Sequence, residues 1–374
     1  MAEPLKAIYD GLFIERFAEL AKSAWTPFDE AAFARRVKDG DWERLELKAR
    51  MRKITVALGE ALPRPYEEAL DVLYRIDERC TGFPYLFFPD FVEVYGMAPE
   101  HWERSLEALA RFTTRSTSEF AVRPFLLTDP ERMAGRMLAW AEHPNEHVRR
   151  LSSEGIRPRL PWGQALPMFK RDPSPIIPIL EKLKRDPSLY VRKSVANNLN
   201  DIAKDHPGLV AELAASWIGE DGRTDWIVRH GCRTLIKKAD SRVMGLFGYT
   251  EHGEEAGGGP LVASASLEVA PAGVPIGGEA TIRYRVRLRD GERAKLRIEY
   301  GIDFVKSGGK TSLKKFLLSD REYAGGAEAE SVRVHRFADL TTRRHYPGAH
   351  RVTLWVNGRE VAAAELNVAE AADS

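Results

Sequence analysis

The sequence predicts a mainly α protein: a HEAT-like α-solenoid followed by a C-terminal immunoglobulin-like β-sandwich. Three observations carry this. Apolar residues recur at three- and four-residue spacing through residues 1–250, as in LFIERFAELAKSAW, WERLELKARMRKITVALGEAL and YEEALDVLYRI, the mark of amphipathic helices. Within that region a Val-Arg motif returns at intervals of roughly 40 residues. Beyond residue 260 the apolar period drops to two, as in strands with one buried face.

The helical elements come first. Pro and Gly fall between the apolar runs, as helix punctuation does. HPNEHVRRLSSEG (143–155), DPSLYVRKSVANN (186–198) and GRTDWIVRHGCRT (222–234) align on Val148, Val191 and Val228, which are 43 and 37 residues apart. Each segment has a helix-start residue, the Val-Arg pair, then a helical run. Two helices per unit of this length fit a HEAT-like repeat, and stacked units form a curved solenoid with a concave face. A looser match sets STSEFAVRPFL (116–126) against LSSEGIRPRL (151–160), and so Glu119 against Glu154.

At TEHGEEAGGGP (250–260) the composition turns Gly-rich and acidic, which reads as a linker. The expected organisation is therefore a helical domain over 1–250, a linker over 251–259 and a sandwich over 260–374. In the last part ATIRYRVRLR, AKLRIEY, TSLKKFLL, SVRVHRF, HRVTLWV and EVAAAELNV alternate. Arg289-Asp290-Gly291, Ser307-Gly308-Gly309 and Asn357-Gly358 supply turns. About seven strands in about 110 residues suit a small immunoglobulin-type sandwich.

Composition excludes several classes. The net charge is +1, so only local clusters can name a partner. Two distant cysteines, Cys80 and Cys232, without CxxC spacing exclude a zinc ribbon or disulfide framework and fit a reducing cytosol. The nine histidines are scattered, and no metal site or cofactor is expected. MAEPLKAIYDGLF is too short and acidic for a signal peptide. No apolar run approaches the ~18 residues of a membrane span. A cytoplasmic monomer is the expectation.

Residues 149–238 are dense in cations. Arg149, Arg150, Arg157, Arg159, Arg192, Lys193, Arg229, His230, Arg233 and Lys237 all lie there. The repeat brings many of them to adjacent helices, and a cationic groove suits a phosphate backbone. An acidic protein partner suits it too. The Val-Arg arginines also suit a structural role, with Val in the core and Arg paired to an acidic residue of the neighbouring repeat. Three carboxylates interrupt the basic face: Glu119, Glu154 and Asp201. Singly, each has a bland explanation. Glu154 sits four residues after Arg150, Glu119 lies near Arg115 and Arg123, and Asp201 precedes Lys204. Trp162 could fill a gap between repeats. Together, the carboxylates weaken DNA affinity and call for a separate reason.

SEFAVRPFL (118–126), HPNEHVRRLSSEGIRPRLPWG (143–163) and DPSLYVRKSVANNLNDIAKDHP (186–207) closely resemble the AlkC family of bacterial DNA alkylation-repair glycosylases. That family is part of the HEAT-like-repeat glycosylase superfamily together with AlkD. The resemblance is strongest over 113–240, and some members carry a C-terminal immunoglobulin-like domain. It implies excision of cationic alkylated bases, 3-methyladenine and 3-methylcytosine, from double-stranded DNA, without flipping the nucleotide into a pocket. It makes Glu119, Glu154 and Asp201 the catalytic candidates and Trp162 the aromatic that approaches the lesion. Arg150 becomes a groove or backbone contact, and Asn198, in VRKSVANNLND, joins the DNA-binding set. A turn at Ser307, Gly308 and Lys310 would add contact from the sandwich, since glycine permits close approach; a solvated sheet face is the plain alternative. No lysine stands out as a Schiff-base nucleophile, so lyase chemistry is not expected. The competing function is a non-catalytic HEAT-repeat scaffold that binds DNA or an acidic protein.

Overall fold

The computed structural model describes residues 4–251, 260–340 and 343–371. The chain forms two compact units, Met1–Cys232 and Arg233–Ser374. The described residues of the first unit are helices and connecting loops. Side-chain caps fix several helix starts: Asp10 accepts from the Phe13 amide (2.7 Å), Asn145 from His147 (2.9 Å) and Asp221 from Arg223 (2.8 Å). Such a cap contributes about 1 kcal/mol. Edge-to-face contacts among Phe13, Phe17, Phe87 and Phe88 hold the first helices together.

The repeat has a clear physical basis. Val148, Val191 and Val228 are buried in the helices Glu146–Glu154, Leu189–Ile202 and Gly222–Gly231. The arginine after the first two repeats one local contact. Arg149 Nη1 donates to the carbonyls of His143 (3.0 Å) and Pro144 (2.8 Å), and Arg192 Nη1 to those of Asp186 (2.8 Å) and Pro187 (2.9 Å). Each folds the entry loop back onto its own helix. Arg149 also grips Asp186 of the next repeat through two bonds, of 2.7 and 3.2 Å. Asp186 in turn accepts the Ser188 amide (2.8 Å). A bidentate charged pair of this kind is directional and strong, and it joins one repeat to the next.

The second unit opens with helices Arg233–Lys238 and Ser241–Leu246. Eight strands follow among the described residues: β1 (Val262–Ala270), β2 (Gly273–Pro275), β3 (Glu279–Leu288), β4 (Ala294–Val305), β5 (Thr311–Tyr323), β6 (Glu328–Arg336), β7 (Gly348–Val356) and β8 (Arg359–Ala369). One sheet has the order β1-β3-β6 and the other β2-β8-β7-β4-β5. Ile282, Tyr284, Val286 and Leu288 of β3 are buried with Leu296, Ile298, Tyr300 and Ile302 of β4 and Val352, Leu354 and Val356 of β7. This is an immunoglobulin-like sandwich, one strand richer than expected. The short β2 pairs in parallel with β8 and has no alternation to read.

The boundary between the units falls before the expected position at 250, for a local reason. The Tyr249 hydroxyl donates to both Asp320 oxygens (3.0 and 2.9 Å), Lys295 Nζ donates to the Phe247 carbonyl (2.7 Å), and Asn357 Nδ2 donates to the Thr250 carbonyl (2.8 Å). Residues up to 250 are thereby tied to the sandwich. The expected linker, beyond Glu251, lies outside the described residues. Among the described residues, no helix is long and apolar enough to cross a membrane.

Candidate active site

Glu119 precedes the helix Val122–Thr128, Arg150 and Glu154 share the helix Glu146–Glu154, and Asp201 ends a turn of Leu189–Ile202. The structure threads the three carboxylates on two guanidinium groups. Arg150 Nη1 donates to Glu119 (2.7 Å), and its Nη2 lies 3.6 Å from Glu154. Arg157, in the loop after the helix, donates to Glu154 (2.6 Å) and through Nε to Asp201 (2.8 Å). Lys204 Nζ closes the row on the other Asp201 oxygen (2.9 Å). Charges therefore alternate across three successive repeats: Glu119, Arg150, Glu154, Arg157, Asp201, Lys204. Little of the carboxylates reaches solvent, with side-chain exposures of 13 %, 6 % and 3 % in chain order. Burial works against the charge on Arg150 and Arg157, but Glu154 with Glu119 or Asp201 outweighs it and raises both pKa values.

Trp162 sits on an exposed turn of the loop that follows Arg157. The residue is 63 % exposed, and its φ of +62° is a left-handed conformation that costs a non-glycine residue about 1–2 kcal/mol. Arg123 holds the two ends of this loop. It is fully buried and donates to the Gly155 carbonyl (2.8 Å) and to the Gln164 carbonyl. Burial, reinforced by Arg157, pushes its pKa down to about 10. In the sequence Arg123 is marked only as a neighbour of Glu119, not as a clamp on this loop. Its spacing from Gly155 and Gln164 offers no periodic signal. Tyr190 was missed in the same way: half-exposed, it packs beneath the Arg150 guanidinium at 4.7 Å.

The residues expected at DNA divide. Arg157 and Asn198 are buried; Asn198 Nδ2 donates to the Ser153 carbonyl (2.8 Å) and so braces the helix carrying Glu154. Arg149 and Arg192 serve their loops, as described above. Arg159 pairs with Asp205 through two bonds, and Arg150 is engaged within the row. Lys193, Arg229 and His230 are exposed in the first unit, and Lys237 in the second, where Arg233 is half-buried. Ser307, Gly308 and Lys310 form the exposed β4–β5 turn, with Lys306 N donating to the Lys310 carbonyl (2.8 Å) and open space around Gly308. Among the described residues, no group of three or more His, Cys, Asp or Glu side chains is arranged to hold a metal ion.

Comparison with known proteins gives a consistent picture. Residues 263–370 match the family described as the C-terminal Ig-like domain of the uncharacterised protein YhaZ, and residues 176–206 match the HEAT repeat. The chain is 46% identical over 354 residues to the uncharacterised protein YhaZ of Bacillus subtilis (strain 168), covering 95% of this chain and 96% of that protein. The solved structure of Pseudomonas fluorescens alkylpurine DNA glycosylase AlkC, bound to DNA containing an abasic site analog, matches with a TM-score of 0.91 at 38% identity. The match covers 98% of this chain and 99% of that one. Fold and site define a HEAT-repeat protein with an immunoglobulin-like C-terminal domain and a buried row of paired carboxylates. At this identity over nearly its whole length, the chain belongs to the AlkC family.

Proposed function

We propose that the protein is a monofunctional DNA glycosylase of base excision repair. It hydrolyses the N-glycosidic bond of cationic alkylated bases, 3-methyladenine and 3-methylcytosine, in duplex DNA without drawing the base into a pocket. The observation that carries this reading is the row of three carboxylates threaded on Arg150 and Arg157 across three repeats. The likeness to a glycosylase bound to an abasic site analog supports it.

An N3-alkylated base already carries a positive charge. When the glycosidic bond breaks, the bonding pair leaves with the base, which departs neutral, and the sugar becomes an oxocarbenium ion. Glu154, flanked by Glu119 and Asp201, stabilises that charge electrostatically. Glycosidases meet a similar transition state with carboxylates. Water then adds its oxygen to C1′ and loses a proton to a carboxylate, leaving an abasic sugar. Trp162 offers its ring face to the cationic lesion, a contact of about 0.5–2 kcal/mol. Exposed side chains, including those of Lys193, Arg229, His230 and Lys237, hold the phosphates, and the basic ones supply most of the affinity.

The test is release of free base from duplex containing 3-methyladenine. Glu154→Gln keeps a hydrogen-bond acceptor for Arg157 and removes the charge, so excision falls at least about a hundredfold while DNA binding is kept or tightened. Parental rates in Glu119→Gln, Glu154→Gln and Asp201→Asn would sink the reading. The pairing of all three carboxylates favours a second reading, a scaffold that binds DNA or an acidic protein. That reading expects salt-sensitive binding and no base release.

A further inference from the structure

We propose that Lys48 is a positioning residue for Trp162, through which the N-terminal helices act on the site; the proposal rests on the glycosylase reading above. Lys48 belongs to the helix Leu47–Ala61, 114 residues away in sequence from the contact it makes. Its Nζ donates to the Trp162 carbonyl at 2.6 Å. The same ammonium stands 4.2 Å from the centroid of the Phe120 ring. Phe120 is the residue after Glu119. One cation therefore joins the turn that carries the exposed aromatic to the segment that carries the first carboxylate.

The turn needs such a hold. Arg123 secures its ends at Gly155 and Gln164 but not its tip. At the tip the Gly163 amide donates to the Leu160 carbonyl (3.1 Å), while Trp162 keeps a left-handed backbone conformation and is largely exposed, so packing of its own side chain adds little resistance to a flip to an ordinary conformation. A charge-assisted bond to its carbonyl fixes the peptide plane, and with it the direction in which the ring leaves the backbone. Such conformations persist where the surroundings over-determine them, and they cluster at functional sites. Lys48 is also well placed for a clean test. With Arg52, Asp90, Phe120 and Gln164 it lines a half-open cavity of about 320 Å³, so methionine fits without displacing the helix.

The experiment is a double-mutant cycle on the full chain. Single-turnover release of 3-methyladenine is measured for the parent, Lys48→Met, Lys48→Arg, Trp162→Ala and Lys48→Met/Trp162→Ala. Binding to an abasic-analogue duplex is followed by anisotropy, and thermal melting serves as the folding control. Lys48→Met slows excision by about tenfold or more with affinity within about threefold of the parent. Lys48→Arg, which keeps both the donor and the ring contact, restores most of the rate. In the Trp162→Ala background, Lys48→Met costs less than about twofold, because residues acting as a unit are not additive.

Three outcomes overturn the proposal alone while Trp162→Ala remains impaired. They are a parental rate in Lys48→Met, an equal loss from Lys48→Met with and without the tryptophan, or a loss of affinity at unchanged rate, which would make Lys48 a phosphate contact. A parental rate in Trp162→Ala removes the lesion-facing role of the turn and the proposal with it. A Lys48→Met protein that melts early is judged by the Lys48→Arg rescue and by the cycle, and absence of both overturns the proposal.

Discussion

Between Glu154 and Asp201 stands a single guanidinium, Arg157, bonded to both and shielded from solvent. Removing one partner of a buried ion pair leaves uncompensated charge and costs about 3–5 kcal/mol. Arg157→Met leaves Glu154 with Arg150 alone, at 3.6 Å, and Asp201 with Lys204 alone, so the loss lies near the lower end of that range and melting of the helical unit drops by about 10 °C. Arg157→Lys, which lacks the planar fork, falls between. A shift under about 2 °C for Arg157→Met would mean that the row contributes nothing to folding. Charge pattern alone does not single out the three carboxylates, since Glu119 lies outside the basic run and Asp172, Asp186 and Asp205 interrupt it as well; the resemblance of the segments that carry them is what marks them. The arginines could not be sorted by charge pattern either. Arg149 meets Asp186 across 37 residues, and Arg157 meets Asp201 across 44. Separations of that size depend on how two repeats stack, so cations destined for staples and cations left exposed look alike in the chain.

At the level of elements, Gly155, the cap at the end of the helix Glu146–Glu154, lets the chain pass close to its neighbour. A Cβ there would lie 2.6 Å from Val122 Cγ2, 3.0 Å from the Leu151 carbonyl oxygen and 3.2 Å from Met137 Cε. The Gly155 carbonyl also anchors Arg123. Gly155→Ala pushes the helix end away from Val122, shifting Glu154 and the loop behind it. The expected cost is about 1–3 kcal/mol, read by melting, together with a fall in base release. Unchanged stability and activity would show that the close approach is dispensable. Helix and strand periods were readable in the sequence wherever one face is buried: β3 alternates from Ala280 to Leu288 as its burial does. β1 was harder. A register shift at Val262–Ser264 interrupts its alternation at the start, and its place is set by pairing with β3.

For the molecule as a whole, the two units differ in what acid does to them. In the sandwich, His335, His345 and His350 are buried and share Phe304 and Phe337 as ring neighbours. Burial, then Arg343, His345 and Lys314, pushes His335 down to about 4. Burial also lowers His345, against the pull of Asp339, and His350. His350 is hydrogen-bonded as a neutral ring, with Nδ1 on the Gly348 carbonyl (3.0 Å) and Nε2 facing the Val305 amide (3.4 Å). Each folded pKa is depressed below the ordinary value near 6.5. The folded state therefore binds fewer protons than the unfolded chain, and stability falls as pH drops. The loss begins below about 6.5 and, for His335 alone, reaches about 2–4 kcal/mol near pH 4. In the helical unit, carboxylates such as Asp205, held low by Arg159, lose their contribution only below about 4. Scanning calorimetry of the full chain at pH 7.5 and 5 should show the sandwich transition falling first, and His335→Phe, which removes one titrating ring, should shrink that fall. Equal shifts for both transitions, or no effect of His335→Phe on the difference, would mean that the buried imidazoles do not set the acid limit of the second unit.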